Sequence, residues 1–126
     1  MNDLNIRETE RTPEIKLSVS EGVFSIKGES FPEDVSAFYG QVIESIDQLK
    51  ENIPDQFQVI IELIYTNSSS IKALYRIFEG FESIRQGGGN LDISWYFQED
   101  DDIMEELGED FHDRFPGLKI NVKPKN

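Results

Sequence analysis

The segment Phe57-Gln58-Val59-Ile60-Ile61-Glu62-Leu63-Ile64-Tyr65 is the most apolar run of the chain, and Ile71, Leu74, Phe78 and Phe81 follow it at helical spacing. A short run rich in β-branched residues reads as a strand, and apolar positions recurring every three or four residues read as one face of a helix. A strand that hands over directly to a helix, in a chain that repeats the handover, restricts the fold to an α/β layer.

The repeats lie on both sides. In EIKLSVSEGVFSIKGES, Ile15, Leu17 and Val19 alternate before Glu21-Gly22, and Phe24 and Ile26 alternate after it. Two strands joined by a tight glycine turn is the natural reading, with two unpaired extended segments as the alternative. Val35, Phe38, Val42, Ile43, Ile46 and Leu49 then trace a helix that starts after Pro32, Glu33 and Asp34 and ends at Asn52 and Pro54. Proline and acid suit a helix start, where the dipole is positive. Gly87-Gly88-Gly89 stop the second helix, LDISWYF alternates again, and DDIMEELGEDFHDRF reads as a third helix with Ile103, Met104, Leu107 and Phe111 inward. LKINV closes the chain as a strand. Residues 1–13 are polar, end at Thr12-Pro13 and read as irregular.

The resulting order is β-β-α-β-α-β-α-β, a mixed sheet of about five strands. Leu91, Ile93, Trp95 and Phe97 share one face of their strand, and Asp92, Ser94 and Gln98 share the other. Strands buried on both faces read as continuous apolar runs. This alternation predicts helices mainly on one face and a partly solvated opposite face.

A chain of 126 residues is one domain's worth, so residues 1–126 are read as a single domain. With 25 acidic against 12 basic residues, the net charge is -13, and no basic stripe is present to meet a nucleic acid or an anionic membrane. The first thirty residues hold no apolar run of signal-peptide length, and no stretch approaches the ~18 apolar residues of a membrane span. The absence of cysteine removes disulfides, thiolate nucleophiles and thiolate metal sites together, and the chain reads as cytoplasmic.

Enzymatic readings find little support. Ser69-Ser70-Ile71-Lys72 fits S-x-x-K, the spacing at which a lysine one turn on activates a serine, but no S-D-N or K-T-G accompanies it. His112 is the single histidine and cannot alone build a histidine metal site. The run Glu99-Asp100-Asp101-Asp102 lacks a D-x-D-x-D-G loop and reads as a helix cap. Gly87-Gly88-Gly89 follow a helix instead of preceding one, which makes them a C-cap and not a phosphate cradle. No cofactor and no metal is expected.

The three serines Ser68, Ser69 and Ser70 stand where the central strand meets the second helix. One of them as a helix cap contributes about 1 kcal/mol. The other reading is a phosphorylation switch: a strand's C-terminal end meeting a helix N-terminus is hospitable to an anion, and a phosphate there adds roughly -1.5 to -2 charges.

An α/β domain with hydroxyls at a strand–helix junction resembles the STAS domains of anti-sigma-factor antagonists. The chain is more closely similar to the SiaC family of bacterial biofilm regulators. Thr12-Pro13-Glu14-Ile15 resembles that family's T-P-x-I, and Gly28-Glu29-Ser30-Phe31-Pro32-Glu33-Asp34 its G-E-S-Y-P-E-N. Tyr65-Thr66-Asn67-Ser68-Ser69-Ser70-Ile71-Lys72 resembles its Y-x-N-T-S-S-x-K, and Trp95-Tyr96-Phe97, the following acids and Gly108-Glu109 with Phe111 resemble its last third. The resemblance implies a non-enzymatic STAS-like regulator, phosphorylated by a serine/threonine kinase and dephosphorylated by a PP2C-type phosphatase. Unmodified, it would bind a diguanylate cyclase and so raise cyclic di-GMP. The phosphoacceptor threonine of that family falls on Ser68 here, and the asparagine of G-E-S-Y-P-E-N falls on Asp34. Asn67, Ser69, Ser70 and Lys72 would then shape the loop and the first helical turn beside Ser68. A constitutive module for a small ligand or protein, in which the serines only cap, is the alternative.

Overall fold

The computed structural model describes residues 3–125. Its elements are β1 (Leu4–Ile6), β2 (Glu14–Ser18), β3 (Val23–Ser30), α1 (Val35–Leu49), β4 (Phe57–Thr66), α2 (Ser68–Gln86), β5 (Leu91–Gln98), α3 (Asp102–Arg114) and β6 (Lys119–Lys125). All the strands join one sheet in the order β1-β2-β3-β4-β5-β6. The β1/β2 and β2/β3 pairs are antiparallel, and every later pair is parallel.

That order explains why the helices share a face. Each parallel connection steps one place in the same direction, and crossovers are right-handed, so α1, α2 and α3 are all carried to the same side. Ile15, Phe24, Ile26, Val59, Ile61, Ile93 and Trp95 point into this layer and are fully buried or nearly so. The open face carries Lys16, Lys27, Glu62, Tyr96 and Lys123. There Lys125 and Lys27 both pair with Glu62. Partial burial pushes the Glu62 carboxyl up, but the two lysines outweigh it and hold the group below the usual carboxylate range.

The β2–β3 turn is the glycine hairpin that the alternation predicts. Gly22 has φ 69°, and a Cβ there would lie 2.7 Å from the Gln56 carbonyl oxygen, so conformation and space both demand glycine. The structure corrects three expectations. Residues 1–13 are not wholly irregular: Leu4 and Ile6 pair with Leu17 and Ile15 in a sixth strand. A segment that short has no period to read. In α1 the fully buried aromatic is Tyr39, whereas Phe38 is half-buried. Ile103, expected inward, is 79% exposed in the first turn of α3.

The helix layer is locked by aromatic packing. Phe111 stacks on Trp95 at 5.2 Å between ring centroids, lies 4.6 Å from Phe78 and stacks on Tyr75 at 4.4 Å. Trp95 donates its indole N–H to the Met104 carbonyl at 3.0 Å. Gly108 permits this approach, because a Cβ there would lie 2.6 Å from the Trp95 ring. One strand and two helices thus meet around a single ring set.

Candidate functional site

Parallel strands bring their C-terminal ends to one edge, and α2 starts there with a single residue, Asn67, between it and β4. Asn67 is extended (φ -88°, ψ 171°) and is the N-cap of α2. Its Oδ1 accepts from the Ser70 N–H at 2.9 Å and its carbonyl accepts from the Ile71 N–H at 3.0 Å. Its own N–H donates to the Ser30 carbonyl at the end of β3 at 3.1 Å. The cap therefore belongs to Asn67 and to none of the three serines, which removes the capping explanation for them.

Ser70 has a different task. Ser30 Oγ donates to Ser70 Oγ at 3.0 Å, and the Tyr39 hydroxyl lies 2.6 Å from Ser30 Oγ on the other side. With the Ser30 proton given to Ser70, Tyr39 is left to donate to Ser30. All three side chains are fully buried. This row of hydroxyls ties β3, α1 and α2 together beneath the exposed end of α2. Ser30 and Tyr39 stand beneath the candidate site, and sequence reasoning did not single them out. Ser30 lies within the quoted Gly28–Asp34 motif, but pairing it with Tyr39 needs the tertiary fold.

Burial pushes the Tyr39 hydroxyl up to about 12, partly offset by the Ser30 hydroxyl, which can turn its proton to the phenolate once Tyr39 ionises. The sign follows directly. The unfolded chain ionises Tyr39 near pH 10.0 and the folded chain near 12, so stability is full below the first value and falls as pH rises through the second. The loss is about 2–3 kcal/mol over that window. We expect Tyr39→Phe to cost about 1 kcal/mol at neutral pH and to abolish this part of the alkaline loss, read by urea unfolding across the window. An unchanged alkaline slope in Tyr39→Phe would contradict the assignment.

Ser68 and Ser69 occupy the first two helical positions, are exposed, and among the described residues their hydroxyls have no hydrogen-bond partner. Their N–H groups sit ahead of the first intrahelical bond, at the positive end of the α2 dipole. Lys72 stands one turn on from Ser68 and is exposed. Ser69, Lys72 and Arg76 line an open groove of about 1050 Å³ between α2 and α1, faced by Glu33 and Asp34. Asp34 is the N-cap of α1, accepting from the Ala37 N–H at 3.0 Å, so its charge complements that helix's dipole. No hydrogen bond joins Ser69 to Lys72 among the described residues. Asp101 caps α3 by accepting from the Met104 N–H at 3.0 Å. His112 is exposed beside Asp113, and Gly87 closes α2 as its C-cap.

Residues 6–125 match the family model described as SiaC family regulatory phosphoprotein. The chain belongs to the SiaC family. A protein of Pseudomonas aeruginosa (strain UCBPP-PA14) is 32% identical over 113 residues, covering 90% of each chain. Apo-SiaC of Pseudomonas aeruginosa superposes with a TM-score of 0.89 at 29% identity, over 98% of this chain and 99% of that one. The SiaC chain in the crystal structure of the diguanylate cyclase SiaD in complex with its activator SiaC, also from Pseudomonas aeruginosa, gives a TM-score of 0.91 at 28% identity. That match covers 98% of this chain and 100% of that one. In this SiaC-family member no helix of the described residues is long and apolar enough to cross a membrane.

Proposed function

We propose that the chain is a cytoplasmic, non-enzymatic regulator that docks on a diguanylate cyclase in its unmodified form and is released by phosphate on Ser68. One observation carries this reading. Asn67 takes the helix cap and Ser70 joins the buried hydroxyl row, which leaves the Ser68 and Ser69 hydroxyls exposed and unbonded in the first turn of α2. Of the two, Ser68 stands where the family motif has its phosphoacceptor. Serine replaces the threonine of the family's N-T-S-S at this position, and it keeps the hydroxyl that accepts phosphate.

A family of regulatory phosphoproteins needs a kinase to write the mark and a phosphatase to erase it; a serine/threonine kinase and a PP2C-type phosphatase fill those roles here. SiaC of Pseudomonas aeruginosa is the activator of the diguanylate cyclase SiaD, which supports a cyclase as the target of this chain. The alternative of a constitutive module whose serines only cap lacks its structural basis, because the cap is made by Asn67.

The test is Ser68→Ala. The variant keeps its affinity for the cyclase and no longer loses it on incubation with ATP and native lysate. A folded Ser68→Ala that fails to bind, or one still released by that treatment, would overturn the reading.

A further inference from the structure

The exposed large apolar side chains among the described residues are Ile64 (57%), Tyr65 (50%) and Ile103 (79%). They come from elements far apart in sequence, yet they line the same groove, of about 380 Å³. The backbone explains the opening. The β4–β5 ladder stops at Ile61 and Trp95, whereas β3 stays paired with β4 out to Thr66. The end of β4 therefore carries Ile64 and Tyr65 past its β5 neighbour, and the first turn of α3 places Ile103 opposite them. Ile71, Met104 and Leu107 complete an apolar lining.

Two further features say what fits there. Asp101, Glu106 and Asp110 line the α3 side, and no lysine, arginine or histidine lines the groove at all. Glu106 and Asp110 make no ion pair among the described residues. Thr66 Oγ1, also in the lining, is a buried oxygen without a hydrogen-bond partner among the described residues, which a donor reaches only when the lining shifts. An apolar floor, a rim of one sign and an unpartnered hydroxyl beneath it suit one kind of occupant.

We propose that this groove is a docking site for a partner's amphipathic segment whose aliphatic side chains are flanked by lysine or arginine. The aliphatic side chains cover Ile64, Tyr65 and Ile103, and the cations face Asp101, Glu106 and Asp110. Complementary charge steers such a segment in and rejects acidic competitors. The inference deepens the proposed function and rests on it for regulation alone. Ser68 lies two residues past Thr66, one turn before Ile71 on α2, so a phosphate there stands at the α2 lip of the groove. A dianion at the edge of an apolar contact opposes docking through its bulk and its desolvation cost, which outweigh its attraction for the segment's cations.

The probe is a helical leucine/lysine peptide of about 18 residues, with a leucine/glutamate peptide as its control, titrated into the 126-residue chain and followed by amide chemical shifts and fluorescence anisotropy. The leucine/lysine peptide binds, shifts Ile64, Tyr65, Ile103 and Leu107, and the control does not. Ile103→Glu weakens binding about tenfold or more although it adds a negative charge, because the apolar contact is lost. Ile103→Ser, which adds no charge, weakens it as well. Unchanged or tighter binding by Ile103→Glu would mean attraction by net charge only and would overturn the proposal, as would shifts confined to another surface. Ser68→Asp in the same assay separates the two claims. Loss with Ile103→Glu and none with Ser68→Asp keeps the groove and sinks the switch; the reverse keeps the switch and sinks the groove.

Discussion

Phosphate on Ser68 is expected to weaken partner binding by about 2 kcal/mol or more, roughly thirtyfold, relative to the unmodified chain. The unmodified hydroxyl is small, neutral and exposed, so a partner covers it at little cost. The phosphate carries roughly -1.5 to -2 charges and cannot be covered without a partner for them. Its own chain supplies only partial compensation: the free N–H groups of Ser68 and Ser69, the α2 dipole, and Lys72 one turn on. Those groups also hold the phosphate at the start of α2, so it remains where the partner docks. Binding curves for the phosphorylated and unmodified chains measure the difference directly. Ser68→Asp should show a smaller loss in the same direction, since one carboxylate has less charge and fewer acceptors. Equal affinity of the phosphorylated and unmodified chains would rule out blocking by charge.

Phe111→Ala is expected to cost about 3–5 kcal/mol of folding stability, against a total of about 5–15 kcal/mol for a domain of this kind. Phe111 is fully buried and touches the rings of Tyr75, Phe78, Trp95 and Phe115. Its removal leaves a cavity walled by α2, β5 and the chain just after α3, and rings of that size do not collapse to fill it. Because Phe111 anchors α3, the same variant should loosen Asp101 and Ile103 as well. Urea unfolding followed by Trp95 fluorescence gives the cost, and a value under about 1 kcal/mol would show that α3 is held by something else.

The handover from β4 to α2 is legible in sequence because each element keeps its own period up to the junction. The β2–β3 hairpin is legible for the same reason, with Gly22 marking the turn. β1 is not, because Leu4–Ile6 is too short to alternate and forms by pairing with β2. Ile103 misleads for a physical reason: its spacing with Leu107 and Phe111 fits an inward stripe, but the end of β4 leaves it facing an open groove. At the candidate site, the place of Ser68, Ser69 and Lys72 in the first turns of α2 is legible from their position after the central strand. The division of labour among Asn67, Ser68, Ser69 and Ser70 is not, since asparagine and serine are equally good caps and only the fold assigns the task to Asn67. The Ser30–Tyr39–Ser70 row joins three elements across the fold, and no local pattern announces it.

The measurement that tests the central claim most directly is the intact mass of the protein from its native cells, followed by peptide mapping. The account predicts a fraction heavier by one phosphate group, about 80 Da, with the group on Ser68. It also predicts that this fraction grows on incubation with ATP and native lysate. A protein that stays unmodified under both conditions, or one that carries phosphate elsewhere while Ser68 remains a free hydroxyl, would contradict it.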